Sequence, residues 1–132
     1  MKRTLEAVVP RVIGPRDWGE ELVIAETPHY LGKILTMRAG GRGGLQYHVE
    51  KDETSYLMSG QAVIDTDDGD GRLTRYHLIT GSTVRIPPGA VHRVTAVTDC
   101  VFVEFSTPHF EDRVRVEAQY GQPDSGGLPS TR

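Results

Sequence analysis

The residues with the clearest chemical potential are Gln46, His48, Glu53 and His92. Gln46 and His48 are two apart in a run that reads as a β-strand, so both side chains point to one face while Tyr47 and Val49 face the other. Glu53 follows the turn 50–52 and opens the expected antiparallel partner strand, where its carboxylate returns toward His48. His92 follows Pro87-Pro88-Gly89, a rigid turn between a short strand and the next one. Two imidazoles, a carboxylate and an amide oxygen make a mixed nitrogen and oxygen set suited to one divalent ion: iron(II), manganese, cobalt, nickel or zinc. For Gln46 two roles stand open, direct ligation or orientation of a ligand or bound water.

The elements that must carry these groups are short strands. Runs rich in Val, Ile, Leu, Tyr and Thr recur between Gly, Pro and Asp clusters, the pattern of an all-β sandwich or barrel. Strands are expected over 21–26, 31–39, 44–49, 54–59, 61–65, 73–78, 83–86, 92–97 and 101–106, with no long helix. The acidic stretch 67–71 reads as a hairpin loop, since Gly accepts positive φ and Asp bonds its own backbone. Residues 114–120 are expected to form a short turn of helix closing one barrel end. The Gly-, Pro- and Ser-rich residues 121–132 are expected as a frayed tail, leaving 1–120 as the single domain.

Composition narrows the partners. At 132 residues and a formal net charge of -3, the chain suits one core and offers no electrostatic reason to bind nucleic acid or an anionic membrane. The expected partner is a small molecule or a second copy of the chain, with the outward Tyr47 and Val49 available to a homodimer. Cys100 is the only cysteine, so no internal disulfide is possible, no cysteine cluster can hold zinc, and a buried thiol is expected. No apolar stretch has the length of a secretory core or a membrane span, which points to a cytoplasmic protein.

The spacing of these residues resembles the cupins. Gly40, His48, Glu53 and Gly60 match the first cupin motif, and Gly81, Pro87, Gly89 and His92 match the second, with Gln46 in place of the first histidine and Ala96 in place of the terminal asparagine. The resemblance implies a double-stranded β-helix, or jelly-roll barrel, with the metal in its mouth. Gln46-x-His48 with Glu53 is similar to the type II mannose-6-phosphate isomerase domain of bifunctional mannose-1-phosphate guanylyltransferases. Trp18-Gly19, Lys33, Ser59-Gly60, Val91-His92-Arg93, Val114-Arg115, Glu117 and Tyr120-Gly121 extend that likeness. Asp17, Val49, Glu50, Lys51 and Ser55 depart from it, and the guanylyltransferase domain has no counterpart here.

The resemblance implies Lys33 and Arg93 as substrate-handling residues. Glu104 alternates with Val101, Val103 and Phe105 on an apolar strand, so it faces either the barrel interior, where it could serve as a base, or solvent. Arg16, Arg38, Lys51 and Arg85 are further candidates for a phosphate-binding rim, whereas His29, His77 and His109 read as loop or strand-end residues. The leading expectation is an aldose–ketose isomerase acting on a sugar or sugar phosphate. Beside it stand an iron(II) oxygenase, since His48, His92 and Glu53 make a two-histidine, one-carboxylate triad, and a binding module without turnover.

Overall fold

The computed structural model describes residues 3–124 and 126–132. Among the described residues eleven strands form: β1 (Arg11–Arg16), β2 (Gly19–Glu26), β3 (Leu31–Met37), β4 (Gln46–Tyr47), β5 (Glu53–Ser59), β6 (Gln61–Asp67), β7 (Leu73–Ile79), β8 (Thr83–Ile86), β9 (His92–Ala96), β10 (Cys100–Ser106) and β11 (Val114–Arg115), followed by a 3₁₀ turn at Glu117–Tyr120. They pair in two antiparallel sheets, ordered β1-β2-β3-β10-β5-β8 and β11-β4-β9-β6-β7. The all-β jelly roll expected from sequence is thus present. No helix among the described residues is long and apolar enough to cross a membrane.

Alternation builds the interior. On β10, Cys100, Phe102, Glu104 and Ser106 are buried while Val101, Val103 and Phe105 face outward. Leu57, Ala62, Ile64, Ile86, Ala96, Cys100 and Phe102 form the apolar floor between the sheets, and Cys100, 1% exposed, is a structural thiol. Two turns show why glycine and aspartate punctuate the strands. Gly60 joins β5 to β6 at φ 105°, with the space for a Cβ only 2.3 Å from the Asp99 carbonyl oxygen. The Asp67 carboxylate accepts from Gly69 N–H at 2.7 Å and closes the loop that leads into β7.

Four expectations change. The strand foreseen over 44–49 keeps ladder pairing only at Gln46–Tyr47, because flanking donors turn to side chains: Leu45 N–H to Glu117, and those of Val49, Glu50 and Lys51 to Asp112. Arg11–Arg16 forms a strand despite Gly14-Pro15, since it lies at a sheet edge and breaks register between Ile13 and Arg16. Val114–Arg115 pairs with β4 as a strand, and the helical turn begins only at Glu117. Finally, residues 126–132 run back beside β11. Arg113 N–H donates to Thr131 Oγ1 at 2.8 Å, Arg115 N–H to Ser130 Oγ at 2.9 Å, and Thr131 N–H to the Arg113 carbonyl at 2.9 Å.

Candidate metal centre

β4 and β9 are register neighbours through Gln46 and His92. One step beyond β4, His48 turns to the same interior, and Glu53 enters from the start of β5. His48 Nε2 lies 3.2 Å and His92 Nε2 3.6 Å from Glu53 Oε1. The donor atoms of the three residues all fall within 4.8 Å of one another, and all three side chains are buried.

The outer nitrogens fix the inner ones. His48 Nδ1 bonds the Asp112 carbonyl and His92 Nδ1 bonds the Ala90 carbonyl at 2.9 Å. A carbonyl only accepts, so each Nδ1 carries the proton and each Nε2 turns a lone pair inward. Burial lowers the His92 pKa against the pull of Glu53, which keeps that imidazole neutral. Burial alone would raise the Glu53 pKa, yet the charge of the neighbouring Lys51 ammonium helps to hold it well below the ordinary carboxylate range. Glu53 Oε2 is buried and meets no donor in hydrogen-bond geometry, its charged neighbour being the Lys51 ammonium at 3.2 Å. Two inward lone pairs and a buried carboxylate converging within 4.8 Å fit a divalent first-row ion, so His48, Glu53 and His92 form a candidate metal-binding triad.

Behind the triad runs a buried chain of alternating charge. Lys51 Nζ lies 3.2 Å from Glu53 Oε2 and 3.4 Å from Glu104 Oε2. Lys33 Nζ lies 3.9 Å from Glu104 and 3.2 Å from Glu21, whose other oxygen meets Arg16 Nε at 2.7 Å. Three carboxylates and three cations cancel, which is what lets them share an interior. For Lys51, burial would lower the pKa, but Glu104 and Glu53 raise it on balance. Glu104 is pushed up to about 7, by burial first and then by the Glu53 carboxylate, while Lys51 and Lys33 oppose the shift.

Triad and charge chain open on one cavity of about 480 Å³, lined also by Gln46, Ser55, Trp18, Phe110 and Arg42. Lys33 stands 4.6 Å above the centre of the Phe110 ring.

The cupin domain family matches residues 33–106, more than half of the chain. The chain belongs to the cupin family. No curated protein matches it in sequence. Among solved structures, the capsular polysaccharide assembling protein CapF from Staphylococcus aureus is similar at TM-score 0.71 and 21% identity, covering 83% of this chain and 32% of that one. KdgF from Halomonas sp. is similar at TM-score 0.64 and 16% identity, covering 75% of this chain and 86% of that one. Bacillus subtilis oxalate decarboxylase, described with Mn(II) centres, is similar at TM-score 0.65 and 19% identity, covering 76% of this chain and 29% of that one. This cupin therefore spans about a third of the length of CapF and of the decarboxylase. At these identities the likeness speaks for the fold.

Of the residues singled out from sequence, Gln46, His48, Glu53, His92, Lys33 and Glu104 all line the cavity, and of the two orientations open to Glu104 it takes the inward one. Arg93 does not line it, which corrects its expected role. As the neighbour of His92 on β9 it falls on the opposite face, where it bonds Gln122 at 2.6 Å and meets Asp65 at 3.4 Å. Arg38 and Arg85 are likewise outside the cavity, held by the Asp17 carbonyl and the Asp52 carboxylate. Lys51, counted from sequence only among scattered basic residues, is instead 5% exposed at the heart of the site. Glu21 and Asp112 were not foreseen. Glu21 had a signal, its alternation with Val23 on an expected strand; Asp112, on a loop, had none.

Proposed function

We propose that this cupin is a metal-dependent aldose–ketose isomerase acting on a sugar or sugar phosphate. The observation that carries the reading is Glu104: a buried carboxyl in the cavity wall, 3.4 Å from Lys51 and 3.9 Å from Lys33, with Lys51 in turn touching the ligand Glu53. A divalent ion held by His48, Glu53 and His92, with Gln46 as fourth donor, supplies Lewis-acid polarisation of the substrate carbonyl and its neighbouring hydroxyl. Glu104 takes the proton from C2 and returns it to C1 while the hydroxyl proton passes from O2 to O1, and its two ammonium neighbours stabilise the carboxylate before the abstraction and after the return. Ser55, where similar isomerases carry an aromatic side chain, leaves room for a hydroxylated substrate. Arg42, exposed and on the cavity wall, is the residue offered to a phosphate. CapF's description as a capsular polysaccharide assembling protein supports a carbohydrate as the substrate class.

A second reading, an iron(II) oxygenase, is favoured by one observation, the two-histidine, one-carboxylate composition of the triad. Anaerobic incubation of zinc-loaded protein with a sugar-phosphate panel in heavy water separates the two. Isomerisation with deuterium entering at C1 of the ketose, or at C2 of the aldose in the reverse direction, is the expected result, lost by roughly 100-fold or more in Glu104→Gln with metal content intact. No exchange with any substrate, together with substrate-dependent oxygen uptake by the iron form, overturns it.

A further inference from the structure

Residues 107–113 connect β10 to β11 and meet the buried charge chain at two points. The first is the segment 48–52. Asp52 N–H donates to Thr107 Oγ1 at 3.1 Å, and Thr107 N–H donates to the Asp52 carbonyl at 3.0 Å. The Asp112 carboxylate accepts the N–H groups of Val49 at 3.0 Å, Glu50 at 2.8 Å and Lys51 at 2.9 Å, and the Asp112 carbonyl accepts from His48 Nδ1. Successive N–H groups converging on one carboxylate make an anion nest, which fixes the backbone that carries them. Asp112 is 2% exposed, so water does not compete for those donors. The second point is Lys33. Its Nζ lies 4.6 Å from the centre of the Phe110 ring, and the Arg11 guanidinium carbon lies 5.3 Å from the same centre. Arg11 belongs to β1 and pairs with Glu26 at 2.9 Å, which ties the ring to the edge of the six-stranded sheet.

Ion pairing alone does not fix an ammonium group in place. Lysine carries a compact charge on a flexible four-carbon stem, without the planar fork that orients arginine. Yet Lys51 and Lys33 reach the same oxygen of Glu104, Oε2, at 3.4 Å and 3.9 Å from parts of the chain far apart in sequence. What restrains each stem is its surroundings. For Lys51 it is the nested turn that directs its Cα–Cβ bond inward, and for Lys33 it is the aromatic face that attracts the cation and shields it from water. We propose that the 107–113 connection is the positioning element of the site: Asp112 places Lys51 together with the ligand His48, Phe110 places Lys33, and one loop thereby sets both ammonium groups on Glu104. Asp112 and Phe110 are positioning residues, acting through the groups they hold. The consequence for turnover rests on the isomerase reading; the placement does not.

Acylation of the full chain with an N-hydroxysuccinimide acetate, mapped residue by residue by mass spectrometry, reads the two lysines separately. Both are 5% exposed and should be protected in the wild type. Asp112→Asn is expected to raise the labelling rate of Lys51 by roughly tenfold or more and to leave Lys33 protected, and Phe110→Leu to do the reverse. Phe110→Tyr, which keeps the ring, should keep Lys33 protected. Cobalt(II) titration gives a second reading. Asp112→Asn should weaken the dissociation constant by roughly tenfold, through His48, whereas Phe110→Leu should leave it within about twofold. A general loosening of the fold would expose both lysines in both variants; that outcome, or full protection in both, overturns the assignment. At saturating metal each variant should also lose roughly tenfold or more in the rate of isomerisation. Selective labelling in a protein that turns over no sugar phosphate upholds the placement and counts against the isomerase reading alone.

Discussion

Lys51 is the residue on which the interior of the site turns. It separates two buried carboxylates, Glu53 at 3.2 Å and Glu104 at 3.4 Å, that would otherwise face each other without a cation between them. Removing one member of a buried charge group leaves the others unpaired, which costs about 3–5 kcal/mol. Lys51→Met is therefore expected to lower unfolding stability by that order in urea denaturation of the metal-free protein. Adding Glu104→Gln should recover part of the loss, because one of the two stranded charges is then gone. Simple additivity of the two substitutions would show that the contacts do not act as a unit.

At the scale of elements, the β5–β6 connection illustrates how a hairpin holds a ligand in place. Glu53 begins β5, and the strand ends at Gly60, where a Cβ would stand 2.3 Å from the Asp99 carbonyl oxygen and 2.9 Å from Cys100 Sγ, at φ 105°. Neither backbone nor buried thiol can give way cheaply. Gly60→Ala is expected to destabilise by about 2–4 kcal/mol, strain and overpacking together, whereas Gly81→Ala, at φ 94° with open space around its Cβ position, should lose only about 1 kcal/mol. Equal losses in thermal melts of the two variants would mean that backbone conformation alone, and not the close approach, sets the Gly60 requirement.

For the whole molecule, two linkages are open to measurement. Glu21 joins β2 to β3 through Lys33 and to β1 through Arg16. Burial raises its pKa, but Lys33 and Arg16 outweigh this and leave it below the ordinary value of 4.5. A depressed folded pKa means that the unfolded chain binds more protons in that window. Its stabilisation is then complete above about pH 4.5 and is lost as the pH falls through the folded value. The stability gap between wild type and Glu21→Gln should accordingly be widest near neutrality and shrink in acid; a gap independent of pH would exclude the linkage. Metal binding is the second linkage. A ligand at 100 times its Kd adds about 2.7 kcal/mol of stability, so chelation should lower the Tm of wild type and leave the His48→Ala, His92→Ala double variant unmoved. Equal metal content in both proteins would remove the triad as the binding site.

What could be determined from the chain by itself was local. Two residues of separation put Gln46 and His48 on one face, a tight turn returned Glu53 toward them, and a Pro-Gly turn delivered His92. Each of those inferences needs only the period of a strand and the geometry of a turn. The same period assigns Glu104 and Phe105 to opposite faces without saying which is inside, and that was decided by the pairing of β10 with both β3 and β5. Arg93 could have been excluded by its adjacency to His92. Lys51 could not have been brought inside, because its turn is buried only when Asp112, 61 residues further on, accepts its N–H. The tertiary structure likewise decided that residues 126–132 lie beside β11. These are consequences of which distant strands become neighbours, and registry between distant strands is an energy of the assembled sheets that no short window of sequence contains.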